Sequence, residues 1–150
     1  MQQTIEQVIN KISTEAKPRP EMRIIKAMKP GQMIRQGDIY VINVTGMKSI
    51  KVFNTVEVKM ESYTSQVKSN KQFYQLVPGS TMGSRHQVKS SEVTVTVNPT
   101  NDSSLVGPMI HAERGFELCH PEHAHMQVDV PGDYLVCYQL NSKTQQRVKD

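Results

Sequence analysis

Tryptophan is absent and aromatic residues make up only 5% of the chain, so a folded core has to be assembled from Val, Ile, Leu and Met packed between thin layers. Cysteine is scarce as well. The two present, Cys119 and Cys137, fall on neighbouring candidate strands and read as buried thiols in a reducing compartment rather than as a disulfide. No apolar run approaches the roughly 20 residues of a membrane-spanning helix, and Met1-Gln2-Gln3-Thr4 lacks the basic and apolar regions of a secretion signal. The expected setting is therefore the cytoplasm, with no membrane partner. A glycine-rich phosphate loop is missing, Ser84 near His86 has no nucleophile elbow around it, and Cys119 beside His120 has no strained turn or orienting partner. Phosphate-loop, serine-nucleophile and cysteine-nucleophile chemistries drop out on that ground.

What remains fits one domain: 150 residues, 37% of them hydrophobic, suffice for a single core without disulfide staples. The nine Met residues are scattered and read as fillers of irregular gaps. The net charge of +4 is concentrated near the N-terminus, where Lys11, Lys17, Arg19, Arg23, Lys26, Lys29 and Arg35 face only Glu15 and Glu21. Electrostatic attraction to nucleic acid, anionic lipid or an acidic protein surface is thus local to this stretch.

Ile5, Val8, Ile9 and Ile12 recur at the spacing of one helix face, and Thr4 with Gln7 has the form of a capping box. A short amphipathic helix over Ile5–Ala16 is expected, ended by Lys17-Pro18-Arg19-Pro20. Residues 17–32 then read as a basic extended arm, closed by Pro30-Gly31. The division is a helix and arm over 1–32 and a β domain over 33–150. In that domain the period changes to two. Strands are expected at Gly37–Val44, along the whole of Ile50–Met60, at Gln72–Val77, Ser91–Val97, Gly115–Cys119, His123–Val130 and Asp133–Leu140. Gly107-Pro108 reads as a turn, and Pro131-Gly132 as the turn joining the last two strands. Tyr134, Val136, Tyr138 and Leu140 fall on one face. Seven or more short strands predict a mainly β fold, a sandwich or small barrel.

Chemistry is concentrated in one place. Four of the five histidines lie between His111 and His125, with Glu113, Glu117, Cys119 and Glu122 among them. On a strand, His123 and His125 project to the same side about 6 to 7 Å apart, a span that one transition metal bridges. His120 can swing in as a third ligand and His86 can supply a fourth from another strand. Such an imidazole set lowers the pKa of bound water, and Glu113 or Glu122 could then serve as the carboxylate partner of a hydrolytic site holding a divalent transition metal.

Three separated segments carry a resemblance: Ile34-Arg35-Gln36-Gly37-Asp38-Ile39-Tyr40, then Gly83-Ser84-Arg85-His86, then His120-Pro121-Glu122-His123-Ala124-His125 followed by Pro131-Gly132-Asp133-Tyr134. Together they resemble a family of small β-rich phage and bacterial proteins of no established activity. This sequence departs at Ser84, where the family pattern has a histidine. The resemblance implies a phage or mobile-element setting, hence a host cytoplasm or an assembled virion, and it marks the histidine cluster as one unit. It supplies no reaction. In that setting a helix and basic arm on a compact body suit a virion accessory or structural protein that attaches to a larger assembly, its partners being protein subunits or further copies of itself. Lys17, Arg19, Arg23, Lys26 and Lys29 would make the arm's contacts, nucleic acid included. The alternatives are a metal-dependent hydrolase using the histidine cluster and a phage protein that binds and inhibits a host factor.

Overall fold

The β-branched alternation becomes short strands in chain order: β1 (Met22–Ile25), β2 (Met33–Gln36), β3 (Ile39–Asn43), β4 (Ser49–Val52), β5 (Val56–Lys59), β6 (Ser65–Gln66), β7 (Phe73–Gln75), β8 (Gln87–Lys89), β9 (Val93–Val97), β10 (Val106–Ala112), β11 (Phe116–Cys119), β12 (His125–Val128), β13 (Gly132–Tyr138), β14 (Leu140–Asn141) and β15 (Gln146–Arg147). The computed structural model describes residues 22–67, 73–76, 86–89, 93–100, 105–141 and 146–147. The helix expected over Ile5–Ala16, together with Lys17, Arg19, Pro78-Gly79 and Ser84, lies outside them. The described strands form a five-stranded sheet ordered β1-β12-β11-β8-β7, a six-stranded sheet ordered β2-β3-β13-β10-β9-β6, and two two-stranded ribbons, β4-β5 and β14-β15. The sheets are open, so the architecture is a sandwich and not a closed barrel.

One apolar cluster joins the two large sheets: Ile39, Val41, Val95, Ile110, Tyr134, Val136 and Tyr138 from the six-stranded sheet meet Val88, Phe116, Leu118, Met126 and Val128 from the five-stranded one and Leu76, which follows β7. Burying each aliphatic side chain here contributes about 1.5–3 kcal/mol. Alternate residues of the six-stranded sheet face outward. Ile42, Leu135 and Cys137 are nonetheless buried, because Val52 and Val58 of the β4-β5 ribbon cover that second face. The result is three layers, and it explains why Tyr134 to Tyr138 is buried without interruption. Scarce aromatics are placed with care. Phe116 meets Tyr134 edge-on at 4.8 Å, while the hydroxyls of Tyr134 and Tyr138 donate to Val130 O and Leu76 O, each at 2.6 Å. Each phenol thus keeps its hydrogen bond on burial.

The structure corrects several expectations. Ile50–Met60 is not one strand but the β4-β5 hairpin, turned through Phe53 (φ 54°) and Asn54 (φ 60°), both left-handed. The turn carries no Gly or Pro, so only Asn54 signals it. Gly107-Pro108 lies within β10, where the register shifts between Val106 and Met109; a bulge tolerates the missing N–H of proline. A Cβ on Gly107 would collide with the Tyr138 hydroxyl. Pro131-Gly132 joins strands of different sheets, so it is a crossover and not a hairpin turn. For the same reason Cys119 and Cys137 lie in different sheets, and both are free thiols. Within the segment read as an arm, Met22–Ile25 forms β1, which pairs in parallel with β12, Met22 opposite His125, and Met28 is buried in the inter-sheet core.

Candidate functional site

Between β2 and β3 the chain reverses at Gly37-Asp38, with Gly37 left-handed at φ 58°. This tight turn sets Gln36 and Asp38 at one end of the sandwich, and both are buried despite their polarity. Gln36 Nε2 donates to Leu118 O at 3.0 Å and Ala124 O at 2.8 Å, tying the six-stranded sheet to the β11-β12 hairpin of the other. With its amide nitrogen so used, Gln36 presents Oε1 to His86, whose Nδ1 donates to it at 2.9 Å. The opposite nitrogen, Nε2, lies 2.8 Å from Asp38 Oδ1. Acceptors at both nitrogens make the ring an imidazolium facing a carboxylate. His86 is fully buried, and the Asp38 side chain is 6% exposed.

Against His86 lie two more rings. The His86–His120 centroids are 4.5 Å apart, His120–His123 are 4.3 Å apart, and His123 lies parallel to His86 at 6.0 Å. The Glu122 backbone N–H donates to His120 Nδ1 at 3.0 Å, which assigns the proton of the neutral His120 ring to Nε2. Neither His86 nor His120 therefore presents a ring lone pair to a metal in this arrangement. Of the four imidazoles expected at one point, three converge, with His86 and His120 buried and His123 half-buried. His123 precedes β12 instead of belonging to it, so the same-side spacing expected for His123 and His125 does not arise.

His125 belongs to a second group on the outer face of the five-stranded sheet. Phe116 and Leu118 of β11 point into the core, so Glu117 and Cys119 point outward by alternation. The β11-β12 ladder pairs Glu117 with Gln127 and Leu118 with Met126; one step further sets Cys119 across from His125. Glu117, Cys119 and His125 thereby offer three metal-competent ligand atoms, all within 4.8 Å of one another and half-buried. The His125 Nδ1 to Glu117 Oε2 distance is 3.5 Å, and His125 Nε2 donates to His120 O at 3.0 Å. Burial, then the Glu117 carboxylate, push the Cys119 thiol up to about 11, against the opposing pull of Lys89.

The remaining site residues disperse. His111 leaves the cluster altogether and pairs with Asp133 at 2.6 Å across β10 and β13. Glu113 is exposed in the β10-β11 turn, at the far end of β11 from His120, so it is no carboxylate partner of the rings. Glu122 is exposed and serves His120 through its backbone. Arg23, Lys26 and Lys29 are exposed. Asp38, Glu117 and Asp133 each meet a histidine, and neither they nor Gln36 carried a role in the reading of the sequence. Asp38 and Gln36 stand in the first resembling segment, His86 in the second and His120 and His123 in the third, so three distant stretches meet at one buried point.

A family model matches residues 35–139, well over half of the chain. The chain belongs to the family described as a domain of unknown function, DUF8820. The first and last matched residues touch: Arg35 Nη2 donates to Gln139 Oε1 at 2.9 Å. The DUF8820 span thus contains the whole Gln36–Asp38–His86–His120–His123 cluster and the outer triad, and β1 lies outside it. No curated protein matches the chain, and no solved structure does.

Proposed function

We propose that this DUF8820 protein is a phage virion accessory or interaction subunit that attaches to a larger assembly through its N-terminal segment. One observation carries the reading. Among the described residues the exposed large apolar side chains are Met22 (46%), Ile24 (56%) and Met33 (55%), all within twelve positions of one another near the N-terminus. Met22 and Ile24 share one face of β1, the edge of the five-stranded sheet among the described strands. An edge strand with apolar side chains offers both backbone pairing and apolar contact to another chain. Arg23, Lys26 and Lys29, exposed alongside, favour an acidic protein partner. The histidine cluster then acts as an internal clasp that keeps the two sheets in register at one end.

Deleting residues 1–32 is a poor test, since it removes Met28 from the core and β1 from the sheet. The better variant is Met22→Lys with Ile24→Lys, which alters exposed side chains and keeps the strand. The fraction of protein sedimenting with particles from an infected culture should fall at least tenfold, with the thermal midpoint unchanged. Full incorporation of the folded double variant refutes the reading.

A further inference from the structure

We propose that Glu117, Cys119 and His125 bind one divalent transition-metal ion, zinc above all, through a carboxylate oxygen, a thiolate sulfur and His125 Nδ1, with a fourth position open to solvent. The site differs from the imidazole set that the histidine spacing suggested, and it is independent of the assembly role.

Geometry comes first. A tetrahedral zinc with bonds of about 2.0 to 2.3 Å holds its N, O and S ligands roughly 3.3 to 3.7 Å apart. The His125 Nδ1 to Glu117 Oε2 distance of 3.5 Å already has that value, and the upper bound of 4.8 Å on the set leaves a contraction of about 1 Å that a Glu or Cys rotamer supplies. The frame is rigid, because Glu117 and Cys119 project from one strand and His125 from its antiparallel neighbour.

The second, separate observation is the tautomer of His125. Its Nε2–H donates to the backbone carbonyl of His120 at 3.0 Å, so in the neutral ring the lone pair is on Nδ1, the nitrogen that faces Glu117. Metal-binding histidines have this arrangement: one nitrogen on the ion, the other donating to a carbonyl or carboxylate that fixes the ring. The carbonyl belongs to His120, whose ring lies tilted against His86 at 4.5 Å, so the buried cluster holds the outer partner of the site in place. The mixed N, S and O donor set suits zinc or cobalt, whereas magnesium and calcium prefer oxygen alone.

Charge is consistent with one dication. Thiolate and carboxylate together carry two negative charges and the imidazole none, so the loaded centre is neutral. Binding forms the metal–sulfur bond and releases the Cys119 thiol proton to solvent, along with any proton shared between His125 and Glu117. Lys89, opposite Glu117 in the β8-β11 ladder, opposes the ion electrostatically.

The test uses full-length protein without a histidine tag, stripped by chelator and titrated with Co²⁺ and then Zn²⁺. One equivalent of cobalt should give a thiolate-to-metal charge-transfer band in the near ultraviolet, and zinc should displace it. Cys119→Ser should abolish the band; His125→Ala should weaken binding at least tenfold, as should Glu117→Gln, while Lys89→Gln should tighten it. His123→Ala should leave binding unchanged. In the unmutated protein one equivalent of zinc should slow alkylation of Cys119 at least tenfold, a readout that requires no variant to fold. Absence of the cobalt band and of zinc protection overturns the proposal, and so does a site that survives Cys119→Ser but is lost in His123→Ala.

Discussion

Replacing Asp38 distinguishes a buried ion pair from an ordinary polar contact. His86 is fully buried and the Asp38 side chain is 6% exposed, with 2.8 Å between Nε2 and Oδ1. Asp38→Ala leaves a buried imidazolium with its counter-charge removed, a change that costs about 3–5 kcal/mol. Asp38→Asn keeps the shape. Its amide can turn to donate to Nε2 of a neutral ring whose Nδ1–H still serves Gln36, so the cost should be only about 1–2 kcal/mol. For a domain of this size the alanine variant should melt roughly 10 °C or more below the unmutated protein. Urea unfolding followed by far-ultraviolet circular dichroism gives the comparison, provided the slope with denaturant is unchanged. If the alanine and asparagine variants lie within about 0.5 kcal/mol of each other, the charge on the pair contributes nothing and the ion-pair argument fails.

Gln36→Met retains volume but removes the donors to Leu118 O and Ala124 O and the acceptor for His86 Nδ1; a loss of about 3 kcal/mol is expected in the same unfolding assay. Gly115→Ala should destabilise by about 1–3 kcal/mol, because φ is +143° and the added Cβ would collide with Val128 O; it should also weaken the cobalt site by loosening the β11-β12 hairpin. Alkaline stability should reflect Cys137, whose thiol burial pushes from 9.0 up to about 12. A folded value above the unfolded one means that stability is constant below pH 9 and falls as pH rises toward 12. By pH 10 this group alone should cost about 1.4 kcal/mol, and Cys137→Ala should remove that share of the slope while leaving the share of the Cys119 thiol, which is raised as well; an equally steep profile in that variant would show that the slope has another source.

Much of the sandwich is legible from period two alone. Val93–Val97 emerges as a strand, and Tyr134, Val136 and Tyr138 do share the inter-sheet face. The failures have local causes. A hairpin turn without Gly or Pro, at Phe53-Asn54, hides inside an unbroken β-branched run, and a proline at a bulge reads as a strand end. At the site, three histidines drew attention by density, but their partners Gln36 and Asp38 are 50 and 48 residues from His86 in sequence. Polar residues around a Gly turn ordinarily face water. Glu117 and Cys119 differ: strand parity puts them on one face, and only the length of the loop to His125 was needed to complete the triad.

The contact between Arg35 and Gln139, reinforced by the bond from Gln139 N to Asp38 O at 2.9 Å, brings the entry and exit of the family domain side by side. A module with adjoining ends can be spliced into a surface loop of another protein without stretching either partner. It also tolerates new segments before and after it. In this chain β1 and the β14-β15 ribbon lie outside residues 35–139, and β1 completes the sheet through its pairing with β12, so a transplanted family span would need another strand to cover that edge.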